Sequence, residues 1–439
     1  MLFGTDGIRG LPPFFLESGL ANKLGKALGG LCGRNGLVVV GRDSRTSGEK
    51  IEKEFVNGLL AYGVRVLQCG VVPTMAVSRL VRRYGAKYGA MVSASHNPPE
   101  YNGIKILDAE GKKLDEAAEA ELEKTISTEV LGIPQGLGHA EECRTASKMY
   151  ADDVLEYLKP DLGGMNVRLD CCHGSCSGIA KAVFMRAGAK VTAICDTQDG
   201  DKINVGCGST CMENICAAMT KNDSIGFSFD GDGDRVLAAT RSGRVLNGDY
   251  ILYILALYLA GKERLKNNTV VGTVMTNYGL EKALLEKDIR LVRTAVGDKY
   301  VIEKLSEGYS LGGEPSGHII VSDALPTGDG IFAAVMFSMA LKEFGIDGDG
   351  IFGLFRSLPQ KIVNIPIERD TAFKLLDCEE FKLCLSQCQD YLCGKGRILV
   401  RPSGTEAKLR IMVEGDVRIS VEKTARILKN AVLEILKKL

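Results

Sequence analysis

The 439-residue chain contains no tryptophan, only four histidines, and 6% aromatic residues. That leaves little material for the interleaved aromatic platforms on which nucleobases stack. Neither sign of charge is in excess. Fifty-five Lys and Arg balance 55 Asp and Glu, for a net charge of zero. Bulk charge therefore points to neither nucleic acid nor an anionic membrane surface. No signal-peptide pattern is present. The most apolar helical stretch, 250–260, is too short to span a bilayer and reads as a buried helix. There is no Walker A motif, and no GxGxxG follows a strand pattern, so nucleotide binding is not indicated. The fourteen cysteines form no CxxC pair. Cys171, Cys172 and Cys176 beside His173, then Cys207, Cys211 and Cys216, and finally Cys378, Cys384, Cys388 and Cys393 all lack structural-zinc spacing. They read as reduced, mostly buried thiols of a cytoplasmic protein.

What is present is alternation. Strand-like apolar runs at 37–40, 64–69, 90–92, 167–169, 190–194, 225–229 and 270–274 are separated by helical patterns at 49–61, 177–187, 249–260 and 330–344. This predicts an α/β protein with mainly parallel pairing in its sheets. After Pro359 the style changes. Strands are expected at 362–367, 398–400 and 409–413, followed by a helix with Val421, Ala425, Leu428, Val432, Ile435 and Leu439 on one stripe. The expected division is three mixed-sheet α/β domains, 1–147, 148–243 and 244–360, and a smaller C-terminal α+β domain, 361–439. The terminal stripe is read as packing on its own sheet rather than as a partner-binding face.

Polar, glycine-rich loops interrupt the pattern. Asp230-Gly-Asp232-Gly-Asp234-Arg235 follows the apolar run 225–229, which places three carboxylates at the C-terminal end of a buried strand. Oxygen ligands packed this tightly repel one another unless a divalent cation holds them, and Mg²⁺ is the usual occupant. An EF-hand fits poorly, because Arg235 and Arg241 stand where its Gly and Glu belong. Ser93-Ala-Ser95-His96-Asn-Pro follows 89–92 and offers a nucleophile or phosphate carrier, with Lys105 a short way on. Residue chemistry alone does not choose between Ser93 and Ser95. Glu314-Pro-Ser316-Gly-His318 offers a carboxylate and a hydroxyl for sugar hydroxyls and a His for proton transfer. Arg401-Pro-Ser403-Gly404-Thr405-Glu406, with Arg410 beyond, has the makings of a phosphate clamp. Arg9 sits in the glycine-flanked turn 5–10, and 41–48 resembles an anion-binding helix start. Each loop alone also fits a polar surface turn. Their mutual consistency is what carries the reading.

Together these motifs resemble the α-D-phosphohexomutase family over nearly the whole chain. Segments 3–10, 248–249, 293–298 and 328–331 bring it nearest to the branch acting on glucosamine phosphates. The resemblance implies four domains around a central cleft. It implies a phosphoserine at Ser95, and Mg²⁺ held by Asp230, Asp232, Asp234 and that phosphate. Arg9, His96, Lys105 and His318 would surround the reacting oxygens, with Arg235 beside them. Glu314 and Ser316 would contact sugar hydroxyls, and Arg401, Ser403, Gly404, Thr405 and Arg410 would hold the non-reacting phosphate. The implied reaction interconverts glucosamine 6-phosphate and glucosamine 1-phosphate, with a sugar bisphosphate as activator and intermediate. A homodimer is the candidate assembly, and no nucleic-acid or membrane partner is expected. The alternatives are a phosphomannomutase/phosphoglucomutase, a Mg²⁺-dependent sugar phosphatase, and a non-catalytic sugar-phosphate sensor. The chain departs from the family pattern at Pro315, Ala407 and Lys408.

Overall fold

The computed structural model describes residues 2–4, 6–128, 137–402 and 407–438. It resolves into two units, Met1–Thr273 with Ile289–Gly353, and Val274–Asp288 with Leu354–Leu439.

The first unit contains three mixed sheets. In the six-stranded sheet, Tyr88–Val92, Leu37–Arg42, Arg65–Val71 and His139–Glu142 run parallel. The return strand Asn102–Leu107 and the short Ile8–Gly10 add on antiparallel. The reason is the connection. The loop 93–101 is too short for a crossover, so the chain must fold straight back. The second sheet pairs Asn166–Asp170 in parallel with Lys190–Ile194 and Ile225–Phe229, and then turns antiparallel through Val236–Ala239 and Val245–Leu246. Every residue of Ile225–Phe229 is buried, as expected of a strand covered on both faces. The third sheet orders Arg290–Thr294, Thr269–Thr273, Leu311–Gly313 and Ile319–Val321. Parallel pairing thus holds from the centre of each sheet to one edge and gives way to antiparallel strands toward the other.

Two long apolar helices, Gly248–Gly261 and Gly330–Phe344, pack against each other in this unit. Each begins where a side chain caps its free amides. Asn247 accepts from the Asp249 amide, and Asp329 accepts from Phe332 N at 2.9 Å. Gly345 ends the second helix in the left-handed conformation. No described helix is long and apolar enough to cross a membrane.

The second unit holds an antiparallel sheet with Lys408–Gly415 between Gln360–Pro366 and Gly396–Pro402. Val421, Ala425, Leu428, Val432 and Ile435 of the helix Arg418–Leu436 are buried in its core. The stripe is therefore used internally. Val274–Asp288 also belongs to this unit. Asn277 accepts from Gly279 N (2.9 Å) and Leu358 N (2.9 Å), and Glu414 accepts from Tyr278 N (3.3 Å).

Candidate active site

Three of the polar loops meet in the first unit. Ser95 is fully buried and sits in the left-handed region at φ +52°. Its Oγ donates to Asp230 Oδ2 at 2.7 Å and lies 3.2 Å from His96 Nδ1. Ser93 takes the other role left open by the sequence. Its Oγ accepts from Ser95 N (2.8 Å) and donates to Asp43 Oδ2 (2.6 Å). Ser93 thus braces the loop, and Ser95 faces the carboxylates.

Arg45 grips that loop from below. It is buried, pairs with Asp43 at 3.0 Å, and donates to the carbonyls of Ser95 (3.0 Å), Asn97 (2.7 Å), Tyr101 (2.8 Å) and Pro98. The expected anion-binding role of 41–48 does not extend to this guanidinium, which spends its fork on backbone oxygens. Arg45→Met is expected to cost about 3–5 kcal/mol, because it strands the buried Asp43 carboxylate. Arg45→Lys keeps the charge but loses the fork, so in steady-state kinetics kcat should fall more than KM changes.

Asp230, Asp232 and Asp234 are all buried, and one oxygen from each lies within 4.8 Å of the others. Gly233 takes φ +72° within the turn. Gly231 is needed for space, since a Cβ there would meet the Ser95 carbonyl at 2.6 Å. Lys105 supplies the nearest cation. Its Nζ lies 2.7 Å from Asp232 Oδ2, 3.2 Å from Asp234 Oδ2 and 2.9 Å from Asp6 Oδ2. Burial works against its charge, but these three carboxylates outweigh burial and hold the ammonium well above its ordinary pKa. Lys105, then His318 and Arg235, hold Asp234 well below the usual carboxylate range despite burial. Asp230 goes the other way. Burial, then the charges of Asp234 and Asp232, push it well above. Oδ1 of Asp232 and Oδ1 of Asp234 are buried and accept no hydrogen bond among the described residues. Unsatisfied carboxylate oxygens beside a carboxylate of raised pKa fit a hard divalent cation.

An ion chain extends from this point. Asp6 pairs with Arg9 and with Lys113, Lys113 pairs with Asp298, and Asp298 Oδ2 lies 3.5 Å from His318 Nε2. His318 Nδ1 lies 3.7 Å from Asp234 Oδ2, which closes the chain. Burial lowers the His318 pKa, but Asp234 and Asp298 raise it further, and the net shift is upward. His96 is opposite in character. Burial, then Arg235 and Arg9, push it down to about 3. Arg9 Nη1 reaches Asn97 Oδ1 at 3.2 Å. Arg235 donates its amide to Asp230 Oδ1 (3.1 Å) and brings Nε to 3.8 Å from Asp234 Oδ1.

Glu314 is buried and accepts from Gly297 N at 3.1 Å. Ser316 Oγ is buried and finds no hydrogen-bond partner among the described residues. Pro315 has no amide to offer, and its carbonyl accepts from Gly248 N at 3.0 Å. In the second unit Arg401 stands directly opposite Arg410 across a strand pair. Burial and then Arg410 lower the Arg401 pKa. Opposed like charges are unfavourable unless an anion joins them. Ser403, Gly404, Thr405 and Glu406 lie outside the described residues, as do Thr5 and Leu439.

Asp6, Lys113, Asp298, Asp43 and Arg45 were not singled out from the sequence. Asp6 and Asp298 do lie inside segments that carried the family resemblance, and Asp43 and Arg45 lie inside the 41–48 segment read as an anion-binding helix start.

Family models place this site in context. Residues 1–131 match phosphoglucomutase/phosphomannomutase alpha/beta/alpha domain I, 247–353 match domain III, and 368–431 match the C-terminal domain. The phosphoglucosamine mutase of Thermotoga maritima is 45% identical over 424 residues, 96% of each chain. The chain belongs to the phosphoglucomutase/phosphomannomutase family. As a member it is an isomerase that transfers phosphoryl groups. The phosphoglucosamine mutase of Thermoanaerobacter sp. strain X514 is 42% identical over 423 residues, 94% of each chain. In fold, the chain is similar to a family protein from Burkholderia thailandensis (TM-score 0.82, 22% identity, 98% of this chain and 96% of that one). It also matches Aspergillus fumigatus N-acetylphosphoglucosamine mutase, solved with GlcNAc-6P and magnesium (TM-score 0.66, 17% identity, 98% and 95%).

Proposed function

We propose that this enzyme interconverts glucosamine 6-phosphate and glucosamine 1-phosphate in the cytoplasm through a phosphoserine at Ser95. The observation that carries the reaction is Ser95 Oγ, held 2.7 Å from Asp230 at the edge of a buried carboxylate triad. The amino-sugar preference rests on relatives named phosphoglucosamine mutase at 42–45% identity over nearly the full length.

Phosphorylated Ser95 gives its phosphoryl group to the free C1 or C6 hydroxyl. The P–Oγ bond breaks, a P–O bond to the sugar forms, and the proton given up by the sugar hydroxyl is matched by one taken up at the released Ser95 Oγ. The bisphosphate turns over, and the other phosphoryl group returns to Ser95. Asp230, Asp232, Asp234 and the phosphate on Ser95 would hold Mg²⁺, which neutralises charge on the transferring group when bound. Lys105 is held as a cation by its carboxylates and contributes charge at the transferring oxygens. His318 is set between Asp234 and Asp298, with Nε2 accepting from Gly328 N at 3.2 Å, and can take up or hand on a proton there. His96 stays neutral and can hold a proton at Ser95 Oγ. Ser316 Oγ and Glu314 bind sugar hydroxyls. Arg401 and Arg410 hold the second phosphate, and because guanidinium geometry reads phosphate rather than sugar, they accept either orientation.

His318 sets the expected pH response. Its folded pKa lies above 6.5, so its contribution to stability and to charge is complete below that value and is lost as pH rises through the folded pKa. The kcat/KM profile should therefore carry an alkaline limb that His318→Asn removes. His96, down at about 3, should leave no inflection at neutral pH.

Labelling tests the route. Protein incubated with sugar bisphosphate radiolabelled in its phosphoryl groups should acquire label on Ser95, and glucosamine 1-phosphate should chase that label onto sugar. Label released as inorganic phosphate would instead establish the phosphatase, and no label on Ser95 would overturn the proposal.

A further inference from the structure

The proposed reaction makes no use of a sulfur-rich cluster at the end of the second sheet. Ligand atoms of His173, Cys195 and Cys207 lie within 4.8 Å of one another. Cys172 and Cys207 pack together in one buried cluster with Ile203, and Cys195 lies against it. Cys172 and His173 are separated in sequence from Cys195 and Cys207. The fold joins them because Asn166–Asp170 and Lys190–Ile194 are parallel neighbours, so the turns after both strands open at the same edge. His173 N donates to Cys195 O at 2.7 Å and locks the two turns together.

The backbone is unusual there. Cys172 (φ +59°), His173 (φ +52°) and Cys195 (φ +48°) all occupy the left-handed region. None is Gly, Asn or Asp, so none takes that conformation cheaply. Strained positions converging on one point mark a ligand clamp. The imidazole is also oriented. Nδ1 lies 2.7 Å from Thr197 Oγ1. In the tautomer where this hydroxyl accepts from Nδ1–H, the lone pair on Nε2 is left to bind a metal.

We propose that His173, Cys195 and Cys207 bind zinc at a structural site separate from the carboxylate triad, with Cys172 completing a tetrahedron. Sulfur and imidazole ligands select zinc over the hard cation that suits the triad. As the three Zn–S bonds form, three thiol protons pass to solvent, and Cys172 gives up its 2.8 Å hydrogen bond to Asn204 Oδ1. Asn204 also links the site to the catalytic loop, since its Nδ2 donates to the carbonyls of Ser95 and Asn97, both at 2.9 Å. Ser44 Oγ adds a second link at 2.6 Å to the His173 carbonyl. A metal at this position therefore braces the floor of the Ser95 loop.

The test uses full-length protein purified under reducing conditions without chelator and dialysed against Mg²⁺ buffer. Elemental analysis should find one zinc per chain. Replacement by Co²⁺ should give the intense visible d–d bands of a tetrahedral thiolate site. Cys207→Ser should lose those bands. His173→Asn, altered at a half-exposed position, should still fold and bind Co²⁺ about tenfold or more weakly. Protein that carries no zinc and gives no Co²⁺ bands when reduced overturns the proposal. So does a disulfide among Cys172, Cys195 and Cys207 whose reduction fails to restore metal binding. Bands that survive unchanged in both variants overturn it as well.

Discussion

Ser95→Ala is expected to lower kcat by a factor on the order of 10⁴ or more while leaving the protein folded. The size follows from the role. Ser95 Oγ is the only hydroxyl of its loop that faces the carboxylates, because Ser93 Oγ is committed to Asp43 and to the Ser95 amide. Folding should be nearly unaffected. Among the described residues the Ser95 side chain bonds only Asp230 and His96, and Ala in the same left-handed conformation meets a strain similar to that of Ser. Thermal unfolding within a degree or two of the parent, alongside the lost turnover, is the expected pair of results. Ser93→Ala should behave differently. It loosens the loop and lowers both stability and rate by smaller amounts, since the carrier itself remains. Comparable loss from Ser93→Ala, with Ser95→Ala still active, would exchange the two roles.

Lys105→Met should be the most destabilising single change at the site. Lys105 is 1% exposed and is the shared partner of Asp6, Asp232 and Asp234. Removing one partner of a buried ion cluster costs about 3–5 kcal/mol, because the remaining charges stay desolvated. Here three carboxylates are left facing one another. The response to Mg²⁺ separates this cause from lost packing. A divalent cation on the triad replaces part of the missing positive charge, so Mg²⁺ should raise the melting temperature of the variant more than that of the parent. Methionine approximates the length of the lysine stem, so little packing is lost. An unchanged denaturation curve, or equal Mg²⁺ effects on the two proteins, would contradict the electrostatic account. Turnover should also fall sharply, since the cation proposed to face the transferring oxygens is gone.

Much of this was legible locally. The apolar run before Asp230, the alternation of carboxylates with glycine, and the position of Ser95 after an apolar strand all placed chemistry at strand ends. Parallel sheets put their sites there. The helix Gly330–Phe344 was readable to the residue, because Asp329 and Gly345 are strong start and stop signals. What was not legible depends on contacts between distant segments. Nothing near Arg45 in sequence shows that it turns inward to hold four carbonyls. The chain from Asp6 through Lys113 and Asp298 to His318 spans most of the first unit and has no periodicity to betray it. The cysteines illustrate the same limit. Grouped by sequence, 171, 172 and 176 look like one cluster and 207, 211 and 216 like another. Folded, Cys172, Cys195 and Cys207 gather with His173, because strand order rather than spacing decides which turns are neighbours. The assignment of Val274–Asp288 to the second unit is of this kind too, set by Asn277 and Glu414.

Relative kcat/KM on three sugar phosphates decides whether this site isomerises an amino-sugar phosphate. Purified enzyme with Mg²⁺ and a sugar bisphosphate activator would be assayed side by side on glucosamine, glucose and mannose 1-phosphates. A clear preference for glucosamine 1-phosphate is expected, even with Pro315 between Glu314 and Ser316. A preference for glucose or mannose 1-phosphate would contradict it and place the enzyme in the phosphomannomutase/phosphoglucomutase branch of the family.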